Sequence, residues 1–134
     1  MFLLDTVVIS ELRKKKPNAG VLRWVSKQRD DELYLSVVTL GEIERGIEKQ
    51  RKADPEFANT STAWLENLTY LYADRILPIT SAIARHWGRL SAHLGHDGAD
   101  LLIAASALAH GLTVVTRNTS HFEPARVTVI NPFK

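Results

Sequence analysis

The feature that most narrows the fold is an alternation of two periodicities. Short β-prone runs occur at Met1–Leu4, Leu33–Val38, Arg75–Ile79, Thr113–Thr116 and Val127–Ile130. Segments with apolar residues at helical spacing separate the first four of them. Strands that alternate with helices predict an α/β domain of three layers, a mostly parallel central β-sheet flanked by α-helices on both faces. Pro78 has no N–H to give a ladder, which puts its run at a sheet edge or a strand end. No internal repeat or low-complexity segment breaks the pattern.

The 134 residues are enough to bury one core without disulfides or a structural metal, and a single domain over residues 1–134 is expected. The content of 45% apolar and 24% charged residues is that of soluble globular chains. Cysteine is absent, which excludes a disulfide framework, a thiolate nucleophile and thiolate zinc sites. Asp5 interrupts the first apolar run too early for a signal peptide, and no run is long enough to span a bilayer, so a cytoplasmic protein without membrane contact is expected. The net charge of +2 permits a polyanionic partner without pointing to one.

Local signals place the helices. Pro17 ends a first helix carrying Val8, Ile9 and Leu12, and Asn18 caps a second one with Val21, Leu22, Trp24 and Val25 on its stripe. Thr39-Leu40-Gly41-Glu42 has the spacing of a capping box, which predicts a helix start at Thr39 and a structural role for Glu42. A helix is expected over about residues 59–72, with Trp64, Leu68 and Leu71 on one face. Thr80 opens and Gly95 closes the next one. Asp97 is the natural cap of Asp100–His110, a segment apolar nearly all round and therefore the most buried helix, with Gly111 as its stop. The cluster Arg13-Lys14-Lys15-Lys16 and the later Lys49, Arg51 and Lys52 suit solvated helix ends, with phosphate contact as the alternative.

Three acids hold similar local positions. Asp5 follows a strand, Glu42 falls in the first turn of a helix after a strand, and Asp100 falls in the first turn of the most buried helix. In a parallel sheet all three face the crevice at the carboxyl ends of the strands, where α/β folds bind ligands. Two carboxylates ~4 Å apart repel by roughly 4 kcal/mol at an effective dielectric near 20, whereas a helix N-terminus returns about 0.3 to 1 kcal/mol per acid. Three such acids need a cation or a shared proton, unless they are simply three unconnected helix caps. An all-carboxylate site suits a hard divalent ion, Mg²⁺ or Mn²⁺, and the chemistry it favours is hydrolysis of a phosphodiester.

The stretches FLLDTVVISEL, YLSVVTLGEIERGI, ADLLIAASALAHGLTVVTRNTSHF and VINPF, in this order and spacing over nearly the whole chain, resemble the PIN domain toxins of VapC type, a group that includes FitB-like proteins. The resemblance implies a Mg²⁺- or Mn²⁺-dependent endoribonuclease, the toxin of a bacterial toxin–antitoxin pair. By position it makes Asp5, Glu42 and Asp100 the metal-binding acids and Asn118 an assisting residue. It also implies an RNA substrate, a VapB-like antitoxin that occludes the acids, and a homodimer within a toxin–antitoxin hetero-oligomer, with Trp64, Tyr70 and Tyr72 as interface anchors.

Two positions depart from the family pattern. Val7 stands where an Asn usually follows the opening Asp-Thr, removing an amide that supports the first acid. Asn118 occupies the fourth acidic position, and His121 the nearby site that often carries Asp before Phe. With one charge fewer, the free protein is expected to hold at most one ion firmly. A PIN fold weakened at these positions and serving to bind RNA or a partner is the competing expectation. A phosphatase with Asp5 as nucleophile is weaker, because the second aspartate it needs two residues on is Val7.

Overall fold

The computed structural model describes residues 1–134. In chain order the elements are β1 (Phe2–Leu4), α1 (Thr6–Arg13), α2 (Ala19–Ser26), β2 (Leu33–Ser36), α3 (Val37–Gln50), α4 (Pro55–Leu71), β3 (Ile76–Leu77), α5 (Ser81–Leu94), α6 (Ala99–His110), β4 (Thr113–Val115), α7 (Thr119–Phe122) and β5 (Val129–Ile130). The five strands form one sheet in the order β3-β2-β1-β4-β5, and every neighbouring pair is parallel. The chain builds outward from β1 to β3, then returns to lay β4 on the other side of β1. That reversal opens a crevice between the carboxyl ends of β1 and β4.

Strand periodicity divides the core in two. Consecutive side chains of a strand point to opposite faces, so Leu4 and Val115 join one buried cluster while Leu3 and Val114 join the other. The first cluster is completed by Val8 and Ile9 of α1, Val21 of α2, Ile43 and Ile47 of α3, and Ala58 and Leu68 of α4. The second takes Ile103, Ala104 and Ala107 of α6 and Phe122 of α7. The layers are therefore helix, sheet and helix. Six residues of α6 are buried, against three at most in any other helix, in keeping with its all-round apolar sequence.

Several caps behave as their residue types dictate. Asn18 accepts hydrogen bonds from the N–H groups of Gly20 and Val21, and Thr80 from that of Ile83. Gly95 and Gly111 end α5 and α6 in the left-handed region, at φ of 78° and 64°. Gly20 meets a different demand, because a Cβ there would collide with the Pro132 carbonyl as the terminal Asn131–Lys134 segment crosses α2. Lys134 completes that seam through Asn18, which bonds both its N–H and its carbonyl.

Other local expectations are corrected. The run Leu33–Val38 does not stay extended: β2 ends at Ser36, whose hydroxyl accepts from the Val38 N–H and starts α3 three residues before Thr39. Thr39 is thus a buried residue inside the helix rather than its cap, and Glu42 belongs to the second turn, with no capping box to serve. The helix expected near residue 59 starts at Pro55, capped by Asp54. Asp97 caps nothing; Gly98 is the N-cap of α6, without a side-chain bond. The third strand contracts to Ile76–Leu77, at one edge of the sheet, with Pro78 just beyond its end. Trp64 of α4 and Tyr72 at its C-cap pack against the first core cluster, whereas Tyr70 and Leu71 stand 80% and 56% exposed. No helix is long and apolar enough to cross a membrane.

Candidate active site

The fold delivers Asp5 to the crevice in the most direct way available. It is the residue after β1, and its backbone N–H continues the strand ladder by donating to the Val115 carbonyl of β4 at 3.0 Å. Its carboxylate is 4% exposed. One oxygen accepts the Thr6 N–H at 2.8 Å, so Asp5 is also the N-cap of α1, and the other accepts the Thr116 hydroxyl at 2.8 Å. Thr116 directly follows β4, so this bond closes the switch point between the two central strands. The same hydroxyl oxygen accepts the Asn118 N–H at 2.9 Å and turns the chain into α7.

Burial dominates the electrostatics of this carboxyl. Loss of solvation pushes Asp5 up to about 6, the charges of Asp100 and Glu42 push the same way, and the bonds from Thr116 and Thr6 offset only part of the rise. Asp5 therefore caps α1 and is also raised by burial and by two like charges. Such a combination at a crevice makes a residue a candidate for a functional site.

Glu42 reaches the crevice from α3. Its Oε1 accepts the Thr6 hydroxyl at 2.6 Å, and the buried Thr39 hydroxyl lies 3.1 Å from that of Thr6. Thr6 therefore ties Glu42 to Asp5 through one residue, its N–H on one acid and its hydroxyl on the other. Asp100, at the second position of α6, faces α7, where the His121 Nδ1 stands 2.9 Å from its Oδ2. Asn118 is half-buried at the N-cap of α7 and its carboxamide caps nothing. Val7 is half-buried and packs against the first core cluster.

The carboxyl ends of the strands thus bring Glu42 and Asp100 within electrostatic reach of Asp5, with Asn118 linked to Asp5 through the Thr116 hydroxyl. Each acid's side chain nonetheless has a hydrogen-bond or ionic partner of its own, and no three Asp, Glu or His residues gather into a ligating group. The donor set still fits a hard divalent cation. Every candidate ligand is an oxygen, and the two acids that raise Asp5 would be relieved together by a positive charge. Glu42 and Asp100 are only partly buried, so both can turn from their present partners.

The sequence marks Thr6 and Thr116 as residues able to hydrogen-bond the acids, with capping and strand propensity as equal explanations. Both do so: the Thr6 hydroxyl reaches an acid 36 residues away and Thr116 bridges to Asp5 over 111 residues. The Asp100–His121 contact, between positions 21 residues apart on two helices, has no such signal. Thr116 directly follows a strand, which is where a parallel sheet concentrates its chemistry.

A parallel sheet in this order, with an acid at its switch point and two more on the flanking helices, defines an α/β domain with an acidic carboxyl-edge centre. The chain belongs to the PIN domain family, whose model matches residues 2–127. It is 38% identical to the VapC ribonuclease Y4jK of Sinorhizobium fredii, over 100% of this chain and 99% of the relative. It is 35% identical to Toxin FitB of Neisseria gonorrhoeae, over 99% of both chains. The crystal structure of FitAcB from the same species superposes with a TM-score of 0.82 at 35% identity, covering 98% of each chain.

Proposed function

We propose that this protein is a divalent-metal-dependent endoribonuclease, the toxin of a type II toxin–antitoxin pair, acting in the cytoplasm on RNA phosphodiester bonds. One observation carries the chemistry: a buried Asp5 at the switch point, raised to about 6 with Asp100 and Glu42 contributing. The similarity to a ribonuclease and to a toxin over nearly full length supports the substrate and the biological role.

Asp5 and Asp100 would hold Mg²⁺ or Mn²⁺, with Glu42 holding it as well or orienting the attacking water. Bound there, the ion would supply Lewis-acid stabilisation of the phosphoryl oxygens and a more acidic water. Thr6 and Thr116 act as positioning residues, fixing the Glu42 and Asp5 carboxylates by donated hydrogen bonds. Asn118 offers a neutral carbonyl or N–H at the rim. His121 holds Asp100 across the crevice. A VapB-like antitoxin would silence the site by covering these acids, and the exposed Tyr70 and Leu71 supply an apolar contact for a second copy.

The test is incubation of antitoxin-free protein with total RNA and Mg²⁺ or Mn²⁺ beside an Asp5→Ala control. Cleavage that depends on Asp5 is the expected result, and cleavage indifferent to that substitution contradicts the assignment. That the acids do not gather into a ligating group favours a second reading, a PIN fold that binds RNA or its partner without cutting. Absence of cleavage with every metal tried would select it.

A further inference from the structure

Beyond the acids, the crevice continues into a groove with an unusual cation in its wall. A cavity of about 280 Å³ is lined by Thr6 and Glu42 at one end and by Arg13, Phe57 and Trp64 at the other. A second cavity, of about 650 Å³, shares Arg13, Phe57 and Trp64 and runs on past Lys14 and Lys15. The two adjoin at Arg13, Phe57 and Trp64, between Glu42 and the basic end of α1.

Arg13 is half-buried where they meet. Its guanidinium carbon lies 4.7 Å from the Phe57 ring centroid and 5.2 Å from that of Trp64. One of its nitrogens donates to Ser61, a fully buried hydroxyl that itself donates to the Phe57 carbonyl at 2.6 Å. The group is thus oriented by two rings and a hydroxyl. It takes part in none of the chain's ion pairs. Basic residues at a helix end ordinarily dissolve in water or find an acid, as Lys14 does with Glu11 at 2.9 Å. A partly desolvated guanidinium that is held in place and lacks an anion is a receptor for one, and its planar fork matches the oxygens of a phosphate.

From this we infer that Arg13 binds a phosphate of the RNA strand flanking the scissile one, the strand running from Glu42 along the α1–α4 groove toward Lys14 and Lys15. The inference rests on the ribonuclease reading of the acids. An RNA strand is the occupant because the first cavity has Glu42, one of the three acids, in its wall, and Arg13, Lys14 and Lys15 gather at the far end, a cluster of cations that suits the successive phosphates of a nucleic-acid strand. The exposed rim of Phe57 gives a flanking base an aromatic surface.

The experiment combines a protein variant with a substrate variant. A short single-stranded RNA cleaved by the wild type is made with one methylphosphonate at a time, neutralising each flanking phosphate in turn. Arg13→Gln is expected to raise KM about 10- to 100-fold, as for loss of a hydrogen-bonded charged partner. It should leave kcat within a small factor and lower the salt dependence of binding by about one charge. At one flanking linkage the methylphosphonate should cost the wild type a similar factor and cost Arg13→Gln nothing more. Arg13→Lys, which keeps the charge, should recover part of the affinity. Additive penalties at every linkage overturn the inference, as does a folded Arg13→Lys as impaired as Arg13→Gln, which would mean packing alone. If no metal supports cleavage, the same comparison is run on binding affinity, so failure of the catalytic reading is seen separately from failure of the groove. Normal RNA binding by Arg13→Gln with loss of the protein partner would give the guanidinium to that partner and contradict the proposal.

Discussion

Two buried acids on the first helical turns of this chain have opposite fates. Asp5 and Glu11 are 4% and 6% exposed and lie six positions apart. Glu11 accepts from the Lys14 ammonium and the Asn18 N–H, both at 2.9 Å, and these bonds hold its carboxyl below the usual range. Asp5 accepts two neutral donors, sees two further carboxylates, and is pushed up to about 6. The difference is the cation: Glu11 has one within its own helix, whereas Asp5 has none. A carboxylate completed by its neighbours is structural; one left short of positive charge at a crevice is a candidate ligand-binding group.

The largest effect that separates them is catalytic. Asp5→Ala should reduce RNA cleavage by about 10²-fold or more, while Glu11→Gln should leave kcat near that of the wild type. Comparable losses in both, measured on folded protein, would erase the distinction.

Stability should move in the opposite sense. A native pKa of about 6 against an ordinary 3.8 means the folded state binds the extra proton between those values. Stability therefore falls as pH rises through that window, by up to about 3 kcal/mol for a shift of about two units. Asp5→Asn should raise the unfolding midpoint at pH 7.5 and flatten this dependence. Glu11→Gln should lower the midpoint, because it strips Lys14 and the Asn18 N–H of a charged acceptor. A destabilised Asp5→Asn protein at pH 7.5 would show that the capping and bridging bonds outweigh the burial of charge.

The smallest effect sharpens the account of how Asp5 is held. Thr116→Val removes the hydroxyl that favours the ionised carboxylate. It should cost about 1 kcal/mol and move the acid limb of kcat/KM to higher pH. An unmoved limb would remove Thr116 from the site.

Much of the architecture was legible because periodicity and caps act locally. Asn18, Thr80, Gly95 and Gly111 each did what its chemistry requires, and α6 was recognisable from its unbroken apolar surface. The helix start at Val37 was not, since Val37-Val38-Thr39 is β-branched and reads as strand, whereas Ser36, an equally good cap, ends β2 and accepts the Val38 N–H. The three acids could be named from their places after a strand or near a helix start, and Thr6 and Thr116 as residues able to bond them, but not which acid each one bonds. Bonds from Thr116 to Asp5, Thr6 to Glu42 and His121 to Asp100 depend on the order of the strands, which no local pattern encodes. The basic cluster after Leu12 likewise reads as one solvated end, yet Lys14 neutralises Glu11 while Arg13 turns onto Phe57 and Trp64.

If Asp5, Asp100 and Glu42 together hold a divalent cation, the Asp5 carboxyl itself reports on it. Its titration, followed by the ¹³C shift of the side-chain carboxyl with and without Mg²⁺, should show an apparent pKa near 6 in the free protein. Mg²⁺ should drive that value down, and the response should weaken in Asp100→Asn and Glu42→Gln proteins. A titration of Asp5 that Mg²⁺ leaves unchanged would contradict the account.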